Sequence, residues 1–409
     1  MKKSYIITAA IALSAAAISC SDETNGTDRG SGLFDEEKIN IIPTTSRADI
    51  TDLQDGFTVY ATKGSSSTTF EISEQTYAYD SSTSTWNWSG TGDAPTWPES
   101  TDDYPMIFYA YYGDVIDSET KYTVTADDSN GLSLTSDITI LSSDKQVDIL
   151  STSQQTDVHP TSGTLSMEFS HILSQVTLAL TATENSRLHI QSIKFCGLKG
   201  SNTFDIMEQS WATITSDSDS EYEFLTHSKS ALELLSSSSS STVTSGLEYS
   251  PTYATLYLMP HELVSWDLSS TVANGRIEVI FRVTKDADDT TDGDDMLGYS
   301  DAEATFGETA TSSLTNSNTP LFIKMAIPLS VPTTNTWAAG SSYTYNITLG
   351  ATGTNNGYFA DTVYYDEDGV ATTITIDNAD IGEEVTSGEI CFSVTLKAWT
   401  PTDSITLTD

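Results

Sequence analysis

Alternation of apolar and polar residues is the feature of this sequence that most restricts its fold. From Arg276 to Val283 every second side chain is apolar, and the same period recurs from Tyr343 to Leu349. A period of two matches the pleat of a β-strand, whose successive side chains point to opposite faces. The run 106–112 is apolar or aromatic throughout, as is typical of a central strand. Helical periodicity is confined to a short candidate at 228–235. The pattern therefore predicts an all-β chain built from antiparallel β-sandwiches.

The length and a change of composition indicate how the strands are grouped. The chain has 409 residues, which is enough for two or three domains of ordinary size. A polar break near Ala182 to Ser186 predicts one sandwich over residues 48–184 and a second over 185–409. A polyserine run at 236–241 and an acidic run at 286–295 are expected to be loops inserted between strands.

The N-terminus has the pattern of an export signal. Lys2 and Lys3 precede an apolar run from Tyr5 to Ile18, which is shorter than the ~20 residues that a membrane-spanning helix needs. Small residues lead into Cys20, and this arrangement resembles a bacterial lipobox. We therefore expect residues 1–19 to be a signal peptide and Cys20 to carry a lipid that anchors the chain to a membrane. Ordinary signal cleavage nearby, with Cys20 unmodified, is the alternative.

The net charge of the chain and the motifs that it lacks argue against several classes of function. The formal net charge is −41 at pH 7, and such a surface repels the phosphate backbone of nucleic acids. In the acidic run, alignment of Gly293 with the glycine of an EF-hand loop leaves Tyr299 where the bidentate Glu should stand, so a calcium loop is not expected. The five histidines lack the spacing of zinc ligands, and no nucleophile or phosphate-binding motif occurs. We expect no cofactor, no metal and no enzymatic activity.

Two further groups of residues leave alternatives open. Trp86, Trp88 and Trp97 are expected to cluster in loops of the first unit. They could form a platform for stacking sugars, as in a monomeric surface lipoprotein that binds glycans, or they could cover the end of a sandwich core. Cys196 and Cys391 could form a disulfide in an oxidising compartment, but two buried free thiols are the favoured interpretation.

The C-terminal segment 388–409 alternates strongly and is a candidate for a donated strand. Its backbone could add to the sheet of another subunit while alternate side chains fill pockets there. The alternative is a terminal strand that completes the sheet of its own domain. The candidate positions for donation are Ile390, Phe392, Val394, Leu396, Trp399, Ile405 and Leu407.

Several short motifs occur in one order along nearly the whole chain. They are the leader with Cys20, Thr45-Ser46-Arg47-Ala48, Trp97-Pro98 followed by Phe108-Tyr109-Ala110-Tyr111-Tyr112, Phe169-Ser170-His171, Ile193-Lys194-Phe195-Cys196-Gly197-Leu198-Lys199, Trp337-Ala338-Ala339-Gly340 and Trp399. In this order they resemble the fimbrillin family, the lipoprotein-derived pilin subunits of Bacteroidetes.

The resemblance implies two transthyretin-like sandwiches in tandem and a structural role at the cell surface. It implies that an arginine-specific protease cuts the N-terminal segment 20–47 after Arg47, so that Ala48 becomes the first residue. Arg29 is an alternative site. The cut would release a first strand at about Lys38 to Ile42, and the C-terminal strand of a neighbouring subunit would fill the groove. The implied partners are other pilin subunits in a head-to-tail polymer, the protease and the outer membrane.

Overall fold

A computed structural model supplies the fold of the chain. The residues that it describes are 38–45, 56–64, 68–90, 93–97, 105–113, 122–129, 132–152, 155–157, 164–182, 186–214, 220–226, 232–235, 241–243, 255–264, 266, 274–288, 291–297, 322–331, 334–349, 358–361, 363–365, 370–375 and 390–398.

The described elements are β-strands and one short 3₁₀ turn at Ser143–Lys145. The strands of the first half are β1 (Asn40–Thr45), β2 (Phe57–Lys63), β3 (Phe70–Asp80), β4 (Thr85–Trp88), β5 (Met106–Tyr112), β6 (Tyr122–Asp127), β7 (Ser133–Thr139), β8 (Leu150–Thr152), β9 (Gln155–Asp157), β10 (Thr164–His171) and β11 (Ser174–Ala182). Those of the second half are β12 (Ser186–Leu198), β13 (Ser201–Asp205), β14 (Ser210–Trp211), β15 (Ser220–Thr226), β16 (Leu232–Leu235), β17 (Ser241–Val243), β18 (Leu256–Leu258), β19 (Arg276–Asp288), β20 (Thr291–Leu297), β21 (Ile323–Pro328), β22 (Ser341–Leu349), β23 (Tyr358–Phe359), β24 (Val363–Tyr365), β25 (Ala371–Thr375) and β26 (Ile390–Ala398).

The first sheet has the strand order β1-β10-β8-β5-β2-β3-β4, with β9 beside β5. It curls far enough for β1 to contact β4, and the ring centroids of Phe57 on β2 and Phe169 on β10 are 5.1 Å apart. The side chains inside the curl form one buried core. Its members are Ile39, Ile41, Phe57, Val59, Ala61, Ile72, Tyr77, Trp97, Met106, Phe108, Ala110, Leu150, Leu165, Met167 and Phe169.

The outer face of the same sheet is also buried in part, against a smaller sheet of order β14-β13-β7-β6. Tyr60, Ile107 and Tyr109 point to this side and pack in a second core with Leu134 of β7 and Phe204 of β13. The uninterrupted apolar run of β5 is therefore explained, because each face of that strand meets a different core.

Two further sheets are formed by β11 and most strands of the second half of the chain. One has the order β17-β11-β22-β26 with β18 beside β11, and the other has the order β15-β12-β19-β21-β23 with β16 and β20 at its sides. Phe195 of β12 meets Tyr345 of β22 edge to face, with the ring centroids 5.9 Å apart. The two sheets thus pack face to face, and the prediction of an all-β chain of β-sandwiches is confirmed. The transthyretin-like detail stays a prediction.

Several sequence-based expectations need correction. The helix candidate at 228–235 is wrong, because Leu232–Leu235 is strand β16 and pairs with β12. The acidic run at 286–295 is not simply a loop, since β19 and β20 pair with Asp286 opposite Asp292. The ladders β1–β10 and β11–β22 are parallel rather than antiparallel. The alternative of a disulfide at Cys196 is not supported, because Cys196 is a buried free thiol, as the favoured interpretation predicted, and burial raises its pKa.

The predicted division at 184/185 also differs from the grouping of the strands. β11 ends before it but pairs with β22 from the far end of the chain. β13 begins after it but pairs with β7 of the first half. The domain limits therefore stay a prediction, and the strands on the two sides of 184/185 are interleaved.

Candidate strand-exchange site

The first strand lies at one end of the first sheet, in parallel register with β10. Asn40 pairs with Thr164 and Thr45 with Phe169. Burial alternates along the strand: Ile41 is 1% exposed, whereas its neighbour Ile42 is 49% exposed. Two inward isoleucines, Ile39 and Ile41, fill the core of the curled sheet. Complete burial of each such side chain contributes roughly 1.5–3 kcal/mol, so these two residues add substantially to the pairing with β10.

The surface beneath β1 is an apolar groove. It is formed by the inward side chains of β10 and by aromatic residues that reach it from other strands, namely Leu165, Met167, Phe169, Tyr77 and Trp97. The predicted detachable strand, Lys38 to Ile42, overlaps this element but is shifted toward the N-terminus, because β1 continues to Thr45.

The bonds around β1 differ between its two ends. At the first end, the N–H of Ile39 donates to the Pro95 carbonyl at 2.9 Å. The Tyr77 hydroxyl donates to the Ile39 carbonyl at 3.2 Å, and Lys38 forms a bridge with Thr96. At the other end, the exposed side chain of Thr44 donates to the Met167 carbonyl at 3.3 Å.

The three tryptophans of the possible glycan platform lie in and around the same core. Trp97 is 4% exposed and meets Phe108 edge to face. Trp86 and Trp88 are half-buried on strand β4 rather than in loops. Trp86 packs on Phe57, and the indole N–H of Trp88 donates to the Gln75 side chain at 2.8 Å. The Trp97 ring is too buried to stack on a sugar, and the half-buried rings of Trp86 and Trp88 pack against the same core, so this placement favours the core interpretation.

The candidate donor strand divides into two parts. Its first four positions, Ile390, Phe392, Val394 and Leu396, belong to β26. That strand pairs antiparallel with β22 over nine residues, from Ser341 opposite Ala398 to Leu349 opposite Ile390, and it is the last strand of its sheet. Trp399, Ile405 and Leu407 lie outside the described residues.

Buried ionisable groups elsewhere have structural partners. Glu278 accepts from Arg276 Nε and from Lys324 Nζ, each at 2.8 Å. Burial raises the pKa of this carboxyl, but the two cations outweigh burial and hold the pKa below its ordinary value. His171 Nδ1 contacts the Asp148 carboxylate where β10 leads into β11.

Within the described residues, no group of three or more His, Cys, Asp or Glu is placed to share a metal ion. No helix among these residues is long and apolar enough to cross a membrane.

Comparison with known proteins identifies the family. The model of the fimbrillin-like family matches residues 44–362, which is more than half of the 409 residues. The chain belongs to the fimbrillin-like family. The crystal structure of a fimbrial protein from Bacteroides vulgatus has the same fold, with a TM-score of 0.50 and 14% identity, and the match covers 89% of this chain and 99% of that one.

A second solved structure matches this fimbrillin-like chain at lower similarity. It is a Bacteroides uniformis protein whose name assigns it to cell adhesion, with a TM-score of 0.42 and 12% identity over 85% of this chain and 92% of that one. No curated protein matches the sequence.

The structure of this fimbrillin-like chain describes the groove but not the residues predicted to be processed. Cys20, Arg29, Arg47 and Ala48 lie outside the described residues, although β1 ends at Thr45, just before Arg47. Sequence reasoning missed Tyr77 and Pro95, the partners of Ile39. No local signal could have found them, because both residues contact Ile39 from positions that are far away in the chain.

Proposed function

We propose that this fimbrillin-like chain is a non-enzymatic structural subunit of a fimbria on the cell surface. Membership of the family and the fold shared with a fimbrial protein support this function. The single observation that carries the mechanism is strand β1. It is a short element at the end of its sheet that seats Ile39 and Ile41 in an apolar groove and ends just before Arg47.

Export begins with the leader 1–19, and lipid on Cys20 holds the precursor in the outer membrane. An arginine-specific surface protease then cuts after Arg47, and Ala48 becomes the first residue of the subunit. The cut leaves β1 attached only by non-covalent contacts. When β1 departs, apolar side chains and one edge of β10 are uncovered, and an uncovered sheet edge is a template for another strand.

A strand from a neighbouring subunit fills the vacated groove. Because β26 is already paired with β22, we assign the donation to residues 399–409. Ile405 and Leu407 stand two residues apart, as do Ile39 and Ile41. Each subunit gives a strand at one end and accepts one at the other, so the contact is heterologous and the polymer grows head to tail.

The proposal is tested by changing the cut site without changing its charge. Arg47→Lys should leave a monomeric, uncut precursor, because the protease requires a guanidinium group, whereas wild-type chain should yield polymer. The measurements are the N-terminal residue of protein recovered from cells and the size of the assemblies by electron microscopy.

Arg29→Lys is the matched control and should assemble like wild type, with Ala48 at its N-terminus. Normal polymer from Arg47→Lys would contradict the proposed cut site. Loss of polymer in Arg29→Lys alone would move the cut to that position.

A further inference from the structure

The two ends of β1 are held by different numbers of neighbours. Along its length, from Asn40 to Thr45, the strand pairs with β10 on one side. At Ile39 there are also partners on the other side, because Pro95 accepts from the N–H and Tyr77 donates to the carbonyl. Within the described residues, the bonds on this outer edge are confined to Lys38 and Ile39.

The geometry of an extended strand shows which backbone groups of β1 face away from β10. In an extended chain the N–H and C=O of one residue point to the same side, and successive residues alternate between sides. Ile39, Ile41 and Pro43 therefore share the outer edge, away from β10. Pro43 has no N–H, so its place on that edge costs no bond to β10 and removes a donor that a further strand could use.

The Tyr77 hydroxyl lies in a buried environment and donates its hydrogen bond to the Ile39 carbonyl. The side chain is 1% exposed and its ring stacks on Phe57 with the centroids 5.8 Å apart. Burial raises the pKa of this phenol, so it remains a neutral donor. When β1 departs, the groove is open to water, and this bond is exchanged for one with solvent. The bond therefore retains β1 by the net free energy of one intramolecular hydrogen bond.

Among the described residues, no backbone bond on the outer edge holds the Thr45 end of β1. Ile42 and Thr44 are exposed there, and the side-chain contacts of Thr44 to Met167 and Ser166 are 3.3 and 3.4 Å long. A protease cut after Arg47 would free the chain at this weaker end.

We propose that Tyr77, Pro95 and Thr96 form a latch around Lys38 and Ile39, which retains the cleaved strand and makes it leave from its Thr45 end. This inference rests on the proposed function. An incoming strand then enters beside Phe169, the register partner of Thr45, and reaches the latch last. The residue that finally replaces Ile39 must offer an N–H to Pro95, so it can be any residue except proline.

The latch is tested on the full-length chain after cleavage, in dilute solution where subunits do not meet. Native mass spectrometry follows the time for which the N-terminal segment remains bound. Tyr77→Phe removes only the hydroxyl, and a typical hydrogen bond corresponds to about two- to tenfold in a rate, so release should be faster by that factor. Retention as long as in wild type would overturn the latch.

Tyr343→Phe is the control. This buried tyrosine also donates to a backbone carbonyl at 3.2 Å, that of Thr336 in the second half of the chain, and it accepts from the Ala338 N–H at 2.7 Å, so the variant loses at least as many bonds as Tyr77→Phe. Its release time should equal that of wild type. If it accelerates release as much as Tyr77→Phe, the effect is general destabilisation and the latch is rejected.

Hydrogen exchange on cleaved wild-type chain gives a measurement that needs no variant. The amides of Ile42 and Thr44, which face β10, should lose protection before those of Ile39 and Asn40. Uniform loss, or loss from the Ile39 end, overturns the directional release. These readouts are separate from assembly: polymer without a Tyr77 effect rejects only the latch, whereas a cleaved, strand-free chain that never polymerises rejects the proposed function.

Discussion

Gly197 and Gly64 have similar positive φ values, but they differ in the space that is available for a side chain. Gly197 lies in β12 at an irregularity of the ladder and has φ of +69°, and Gly64 follows β2 with φ of +65°. A Cβ on Gly197 would lie 2.1 Å from the Asn274 carbonyl oxygen, whereas a Cβ on Gly64 would meet nothing within 4 Å. Gly197 is therefore required for close backbone approach as well as for its positive φ.

We expect Gly197→Ala to destabilise the chain far more than Gly64→Ala. The second variant bears only the strain of a left-handed alanine, about 1–2 kcal/mol. The first must also move the Asn274 backbone, and we expect a loss above roughly 4 kcal/mol. Urea unfolding of both variants measures the difference, and equal losses would mean that the contact with Asn274 is not maintained.

At the scale of the element, β1 shows why neighbouring residues of one strand have different roles. Ile41 and Ile42 are adjacent and identical in chemistry, yet one is buried in the groove and the other faces outward. The pleat decides this, because a shift of one residue in register would exchange the two faces. The side chain at 41 stabilises the strand, and the side chain at 42 is available for other contacts.

Substitution of Ile41 and Ile42 measures how much each face of β1 contributes to the stability of the uncut chain. Ile41→Ala should lower the free energy of unfolding by about 2–4 kcal/mol, because it leaves a cavity among Leu165, Met167 and Trp97. Ile42→Ala should change it by no more than about 0.5 kcal/mol. Denaturant titration measures both values, and comparable losses would indicate a different register of β1 on β10.

At the scale of the whole molecule, the two halves of the chain share structure. β13 and β14 complete a sheet with β6 and β7, and the core that contains Tyr109 also contains Phe204. The chain passes from β10 to β11 through a tied segment, in which Ile172 donates to the Ile149 carbonyl at 3.1 Å and Ser174 to the Ala338 carbonyl at 3.0 Å. A perturbation beyond residue 185 can therefore reach the first sheet.

Two buried phenylalanines beyond the predicted division test this coupling. Phe204 packs in the core shared with Tyr109 of β5, whereas Phe224 packs on Phe195 in the second half, and each is 2% exposed. Phe204→Ala should accelerate amide exchange in β5, and Phe224→Ala should affect it much less, although truncation of a buried Phe costs about 3–5 kcal/mol in general. Exchange is measured on peptides that cover Met106–Tyr112. Unchanged exchange in β5 for both variants would support independent folding of 48–184 and 185–409.

Part of the fold and of the site could be read from local pattern. Alternation predicted the strands at β19, β22 and β26, and the uninterrupted apolar run predicted a central strand at β5. The first strand was predicted near its place, since Ile39 and Ile41 are two residues apart. The segment 228–235 was misread because its apolar residues are too few to separate a helical period from a strand. The tryptophans at 86 and 88 were placed in loops because their pairing with Tyr79 and Tyr77 of β3 leaves no local signal.

The amino-acid sequence alone determined that this chain is all-β and that it belongs among the fimbrillin-like proteins, because alternation and short ordered motifs are local properties that survive without knowledge of contacts. Only the tertiary structure decided that β1 runs parallel to β10, that Trp97 forms part of the groove and that Tyr77 and Pro95 hold Ile39. These are pairings between residues tens to more than a hundred positions apart. Their geometry depends on how the whole sheet curls, which no stretch of neighbouring residues specifies.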